Sequence, residues 1–275
     1  MENLEGVNPY TIYIPESGPL AASSELVAAA IHQSHYIEDD VLKYFALSEA
    51  DRLREEDPYT DEFTDAGSVR IIANYSRFRV DLNRSRDKAI YMSPIDAWGM
   101  KPYNENLPPE VIESGLGYYD SFYDGIHNLF TSLIKKWGKI FVYDFHSYNH
   151  KRDGMDSPPA PADENPEVNI GTGNINREYW GSLIDRFMND LKEFDFGGRQ
   201  LDVRENVRFK GGHFSKWIGE NFPQTACVLA IEVKKFFMDE WTGEKDNKQM
   251  HLLKQAFIST RPGVLRELKK TGIAK

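Results

Sequence analysis

Between Ser114 and His150 the chain sets a long amphipathic helix directly before a short apolar run, and this junction restricts the fold more than any other stretch. Leu116, Tyr119, Tyr123, Ile126, Phe130, Leu133 and Trp137 recur every three or four residues, which lines one helix face with apolar side chains. Gly138 supplies a stop. The run that follows, K-I-F-V-Y-D-F-H-S-Y-N-H, is β-branched and aromatic and ends in Asp144, His146 and Ser147. It reads as a buried strand delivering polar side chains to a sheet edge. Open α/β sheets are covered by helices on both faces and hold ligands outside the carboxyl ends of their strands.

The same alternation runs along the chain. Residues 10–14 read as a first strand, broken by Pro15, Ser17, Gly18 and Pro19. Residues 24–55 read as an interrupted helical stretch, and 68–74 and 78–82 as short strands or one hairpin. Segments 167–170 and 225–233 have strand character, 176–194 helix character, and 247–269 reads as a helix interrupted near Pro262. The segment S-P-P-A-P-A-D-E-N-P, within 151–166, reads as a proline-rich surface loop beside the site rather than a linker. The expectation is therefore a single domain over residues 1–275. Its fold class is three-layer α/β/α around a mixed, largely parallel sheet.

Charge and cysteine content narrow the class of function. A net charge of −10 argues against a nucleic-acid surface and against anionic membranes. No apolar run approaches the roughly 18 residues that a membrane helix needs. Cys227 is the single cysteine and lies in an apolar run, so it reads as a packed thiol and no intrachain disulfide can form. The N-terminus is acidic and has no leader pattern, which gives a cytoplasmic expectation. G-x-S-x-G, Walker, G-x-G-x-x-G and H-E-x-x-H motifs are all missing, which disfavours serine hydrolases, nucleotide enzymes and zincins.

Four islands of polar residues lie beside strand ends. These are I-P-E-S-G-P at 14–19; D-P-Y-T-D-E-F-T-D at 57–65 with S-R-F-R-V-D-L-N-R-S-R-D at 76–87; D-F-H-S-Y-N-H; and F-K-G-G-H-F at 209–214 with A-I-E-V-K-K-F-F-M-D-E at 230–240. His146 is the best metal-ligand candidate. Asp144 shares its strand face and either orients the imidazole or is a solvated strand-end charge. Glu232 follows six small or apolar residues, so burial would raise its pKa toward that of a general base; an ion pair with Lys234 or Lys235 is the alternative. A guanidinium grips a carboxylate through two parallel hydrogen bonds. Arg84, assisted by Asn83, is the first choice for such a clamp unless it pairs internally with Asp81 or Asp87. Arg77 either holds a carboxylate or polarises a carbonyl. His150 follows His146 by four residues, a spacing that joins ligands only on a helix, so it is not taken as a ligand. His32, His35, His127 and His251 fall in expected helices and receive no role.

The order and content of these islands resemble the N-formylglutamate amidohydrolase family: an early P-x-S-G turn, T-D, S-R-F-x-V-D-L-N-R, D-x-H-S, G-G-H and I-E-V-K-K-F-F-M-D-E, spanning roughly residues 10–240. The resemblance implies a phosphorylase/hydrolase-like fold distantly similar to zinc carboxypeptidases. It also implies zinc, or another divalent metal, that lowers a water's pKa to about 7 for amide hydrolysis. F-H-S-Y is similar to the strand end that gives those enzymes their last zinc-binding histidine. Where the family's first turn reads P-H-S-G, with the histidine a metal ligand, this chain has Glu16. The implied metal set is thus His146, Glu16 and Asp61, the last taken from T-D. Glu232 is the implied base, and Gly212 and His213 are implied to line the substrate. The expected partner is a small acidic acyl-amino acid or a peptide terminus. Two other readings stand beside this one: a carboxypeptidase-like peptide hydrolase, and an inactive binding protein that kept the fold after losing a histidine at position 16.

Overall fold

The computed structural model describes residues 8–18 and 23–271. Pro19 of the early turn and the acidic first seven residues lie outside the described residues. Seven strands form one sheet: β1 (Tyr10–Tyr13), β2 (Leu26–Ala30), β3 (Val69–Ala73), β4 (Ile140–Tyr148), β5 (Val168–Gly171), β6 (Val203–Glu205) and β7 (Ala226–Lys234). Their order is β1-β3-β2-β4-β7-β5-β6. The four central strands β3, β2, β4 and β7 are mutually parallel, while β1 and β5 pair antiparallel with their inner neighbours. The mixed, largely parallel sheet expected from the sequence is borne out.

Eight described helices complete the chain: α1 (Asp39–Leu42), α2 (Glu49–Glu55), α3 (Thr60–Phe63), α4 (Pro109–Trp137), α5 (Arg177–Glu193), α6 (His213–Asn221), α7 (Asn247–Ser259) and α8 (Arg261–Lys270). Pro109 opens α4, where its fixed φ suits the first turn and its missing N–H costs nothing. Gly138 ends it at φ 80°, a backbone conformation that favours glycine. Among the described residues, no helix is long and apolar enough to cross a membrane.

Strand alternation separates two cores. Val27, Ala29, Ile140, Val142, Ala226 and Val228 face a layer containing α4 and α6, whose Phe122, Ile126, Phe130, Phe214 and Ile218 are buried against them. Leu26, Ala28, Phe141, Tyr143, Phe145, Leu229 and Ile231 face α5, α7 and α8 through Leu183, Phe187, Phe257 and Val264. Each fully buried Phe or Leu contributes about 1.5–3 kcal/mol, so these two layers fix the sheet that carries the site.

The sequence reading differs from the fold at residues 24–55. Leu26–Ala30 is not helical; it is a fully buried central strand. Three consecutive alanines favour helix intrinsically, but a strand covered on both faces needs only small apolar side chains, and packing overrides propensity. Residues 78–82 form turns rather than a strand. The break near Pro262 is borne out, with α7 and α8 meeting at Thr260.

Candidate active site

The chain runs from β2 outward to β3 and then returns to β4 on the other side of β2, so the sheet's switch point lies between β2 and β4. Crevices at such points are where α/β sheets hold ligands. His32 follows β2, His146 ends β4, and Glu232 stands opposite His146 in the β4–β7 register. Asp144, His146 and Glu232 share strand parity with Val142 and Val228, so they project toward the α4/α6 layer. There they line or underlie a cleft of about 380 Å³ that also receives Asp57, Arg77, Asn83, Trp98, Gly212 and Lys235.

Two imidazoles converge on one carboxylate. His146 Nδ1 lies 3.0 Å from Asp57 Oδ2, and His32 Nδ1 lies 3.4 Å from the same oxygen. All three side chains are buried, and their three ligand atoms fall within 4.8 Å of one another. Each ring is braced at its other nitrogen: His32 Nε2 by Asp81 at 2.7 Å and His146 Nε2 by Asp144 at 3.0 Å. Burial works to raise the Asp81 pKa, but Arg77, His32 and Tyr91 hold it well below the carboxylate range. An ionised carboxylate only accepts, so His32 donates from Nε2 and turns Nδ1 toward Asp57. That buried Nδ1 has no hydrogen-bond partner among the described residues.

The charges of this cluster follow from the same contacts. Burial works to raise Asp57, but the hydrogen bond from His146 and the neighbouring His32 imidazole outweigh it and hold the carboxyl far below its usual range. Burial likewise opposes charge on His146, yet Asp144 and Asp57 lift it well above its ordinary value. Glu232 goes the other way: burial, with Asp57 and Asp144 adding and His146 opposing, pushes its carboxyl up to about 7.

A residue-built frame holds the cluster. Asp57 follows α2 directly and donates its backbone N–H to the His32 carbonyl at 3.0 Å. Lys235, one residue past β7 and buried, donates Nζ–H to the carbonyls of Arg54 at 2.7 Å and Glu56 at 2.8 Å, so it ties down the turn that presents Asp57. Asn83 Oδ1 accepts the first-turn N–H of Phe214 at 2.9 Å, and its Nδ2 lies 3.4 Å from His146 Nε2. A Cβ on Gly212 would sit 2.3 Å from Asn83 Oδ1, so glycine permits this close approach.

The predicted residues divide. His146, Glu232, Arg77, Asn83 and Gly212 line the cleft. Glu16 does not reach it: it is exposed, beyond the edge strand β1, two strands away from β2. Asp61 lies on α3, outside the cleft lining, where burial and the neighbouring Glu62 raise its pKa. Arg84 turns away from the cleft; its Nε is 3.5 Å from Asp81 and its Nη2 donates to the Asp96 carbonyl at 2.8 Å, the internal pairing weighed from sequence. His213 opens α6 beside Tyr119, 3.0 Å from the phenol oxygen, and does not line the cleft. Arg77 is committed as well, donating to Asp81 at 3.0 Å, Tyr91 at 3.1 Å and the Glu55 carbonyl at 3.2 Å, with its guanidinium over the Trp98 ring.

His32, Asp57, Asp81 and Lys235 were missed from sequence. The signal for His32 was present: L-V-A-A-A-I-H is an apolar run ending in histidine, the same pattern that singled out His146. Reading it as helix concealed the strand end.

Fold and site together define an α/β protein whose carboxylate-braced imidazoles sit at the switch point of a parallel sheet. A model of the family described as N-formylglutamate amidohydrolase matches residues 24–238, so the chain belongs to that family, hydrolases of non-peptide C–N bonds. The structure is similar to N-formylglutamate amidohydrolase from Ralstonia eutropha JMP134, with TM-score 0.72 and 18% identity over 96% of this chain and 98% of that one. It is also similar to a gene product of Agrobacterium tumefaciens, with TM-score 0.61 and 15% identity over 95% and 96% of the two chains. At these identities the likeness shows the fold. No curated protein matches the sequence.

Proposed function

We propose that this chain hydrolyses the amide of a small acidic N-acyl amino acid, N-formylglutamate being the simplest, with a divalent metal, zinc by preference, held by His32, Asp57 and His146. The observation that carries this reading is the buried, partnerless His32 Nδ1 facing Asp57 beside His146. Two imidazoles and a carboxylate suit zinc, and catalytic zinc sites usually take three protein ligands and keep one position open. Carboxylates bracing the far nitrogens of both rings are the usual supports of such ligands. Asp57 and His32 thus take the places assigned from sequence to Asp61 and Glu16. The ground for an inactive protein, a missing histidine at position 16, goes with that exchange.

When bound, the metal supplies a Lewis acid that polarises the scissile carbonyl and acidifies the attacking water. Glu232, with a pKa near 7, accepts that water's proton and passes it to the leaving nitrogen. Arg77 keeps its charge in the cleft despite burial, because Tyr91, Asp81 and Asp57 surround it, and it stabilises negative charge developing on the carbonyl oxygen. Asn83 and Gly212 line the same cleft as Glu232.

The test is hydrolysis of N-formylglutamate by zinc-loaded protein, wild type and Glu232→Gln. Turnover that falls about 100- to 10,000-fold in the variant, with zinc still bound, supports the reading. Absence of turnover on every N-acyl amino acid tried, at full metal content, overturns it.

A further inference from the structure

The cations of the cleft are sorted by their partners. Inside, Arg77 already donates to Asp81, and Lys235 is spent on two backbone carbonyls. At the mouth, Arg152 lies 3.7 Å from Glu55, whereas Arg208 and Lys210 are exposed, line the cleft and have no ion-pair partner among the described residues. Arg208 is also a fixed residue. Its backbone N–H and that of Phe209 donate to Asn169 Oδ1 at 2.9 and 3.3 Å, and Asn169 Nδ2 donates back to the Phe209 carbonyl at 2.8 Å. Asn169 is wholly buried and stands opposite Glu232 in the β5–β7 register. The Arg208 guanidinium lies 5.6 Å from the Tyr148 ring centre and 5.5 Å from that of Phe209. Two rings and a pinned backbone reduce the freedom that an exposed arginine would lose on gripping a ligand.

From this sorting we infer that Arg208, not Arg84, is the specificity residue that binds the side-chain carboxylate of the substrate, so that an acidic N-acyl amino acid enters acyl end first with its side-chain carboxylate at the mouth. The assignment rests on the proposed amidohydrolase function for its substrate class. A guanidinium free of acidic partners can offer two parallel N–H groups to a carboxylate, whereas one already paired with aspartate cannot. Lys210 adds charge at the same rim without that geometry.

The experiment is calorimetric binding of L-glutamate to the zinc-loaded full chain, alongside kinetics on N-formylglutamate and its side-chain amide isostere N-formylglutamine, which keeps the α-carboxylate. Arg208→Ala is expected to weaken glutamate binding and raise KM for N-formylglutamate by roughly tenfold or more, leave kcat nearly unchanged and abolish the preference over N-formylglutamine. Arg208→Lys should recover part of the affinity, and Arg84→Ala should leave the preference in place. Glutamate binding that is absent from the wild type, or equal in Arg208→Ala, overturns the assignment. Loss of glutamate binding in Arg208→Ala together with no hydrolysis by the wild type would uphold the carboxylate site and overturn the amidohydrolase reading.

Discussion

His32 and Asp81 are joined by a buried hydrogen bond of 2.7 Å from Nε2 to Oδ1, and this bond sets the tautomer that turns the opposite ring nitrogen toward Asp57. Asp81 belongs to the D-L-N-R run, so the motif's aspartate braces His32, the proposed ligand, while its arginine packs away from the cleft. Asp81→Asn keeps the shape but allows the wrong tautomer. Zinc affinity, measured by competition with a chromophoric chelator, should fall about 10- to 100-fold. An unchanged affinity would show that the bond orients nothing.

In the proposed mechanism Glu232 sets the acid limb of the activity. Its carboxyl is raised to about 7 from an ordinary 4.5, chiefly by burial, and only the deprotonated form accepts a proton. Activity should therefore rise with pH and level off above about 7. A cation on the nearby ligands stabilises the carboxylate and moves that limb lower, never higher. The pH profile of kcat/KM checks this, and a limb that persists unchanged in the residual activity of Glu232→Gln would assign it elsewhere. Stability has the opposite sign: folding favours the protonated group, so the metal-free protein loses this contribution as pH rises through about 7.

Lys235 acts on Asp57 through the backbone. Lys235→Met strands the carbonyl of Glu56 at a cost of about 1–3 kcal/mol, while that of Arg54 keeps the Asn149 amide at 2.9 Å. Denaturant unfolding of the metal-free protein should show that loss, and zinc affinity should fall with it. Destabilisation without weaker zinc binding would confine Lys235 to the fold.

Gly212→Ala places a methyl against the Asn83 amide, which must leave its contacts with Phe214 and His146. Because the α6 start and the cleft wall shift together, KM should rise several-fold with modest loss of stability. Kinetics and a melting curve on the same preparation separate the two.

Much of the architecture was legible because periodicity reports burial directly. The α4 stripe and the β4 and β7 runs were readable for that reason, and the strand-end rule found His146 and Glu232 on neighbouring strands. β2 was not, since L-V-A-A-A carries no period and its alanines favour helix when read alone. That single assignment cost His32, while Glu16 entered only through the family's P-H-S-G turn and lies beyond an edge strand. Asp57, Asp61 and Asp65 share a helical spacing, yet only Asp57 lies at the end of α2 facing His32, and spacing could not choose among them. Arg84 and Arg208 differ by their acidic neighbours, which are brought together only by folding.

The proposed metal set is tested most directly by elemental analysis of zinc-reconstituted protein: wild type, His32→Ala, His146→Ala and Glu16→Ala. That set predicts near-stoichiometric metal in the wild type and in Glu16→Ala, and loss in both histidine variants. A metal-free wild type, or a His32→Ala protein that keeps its metal while Glu16→Ala loses it, would contradict the site described here.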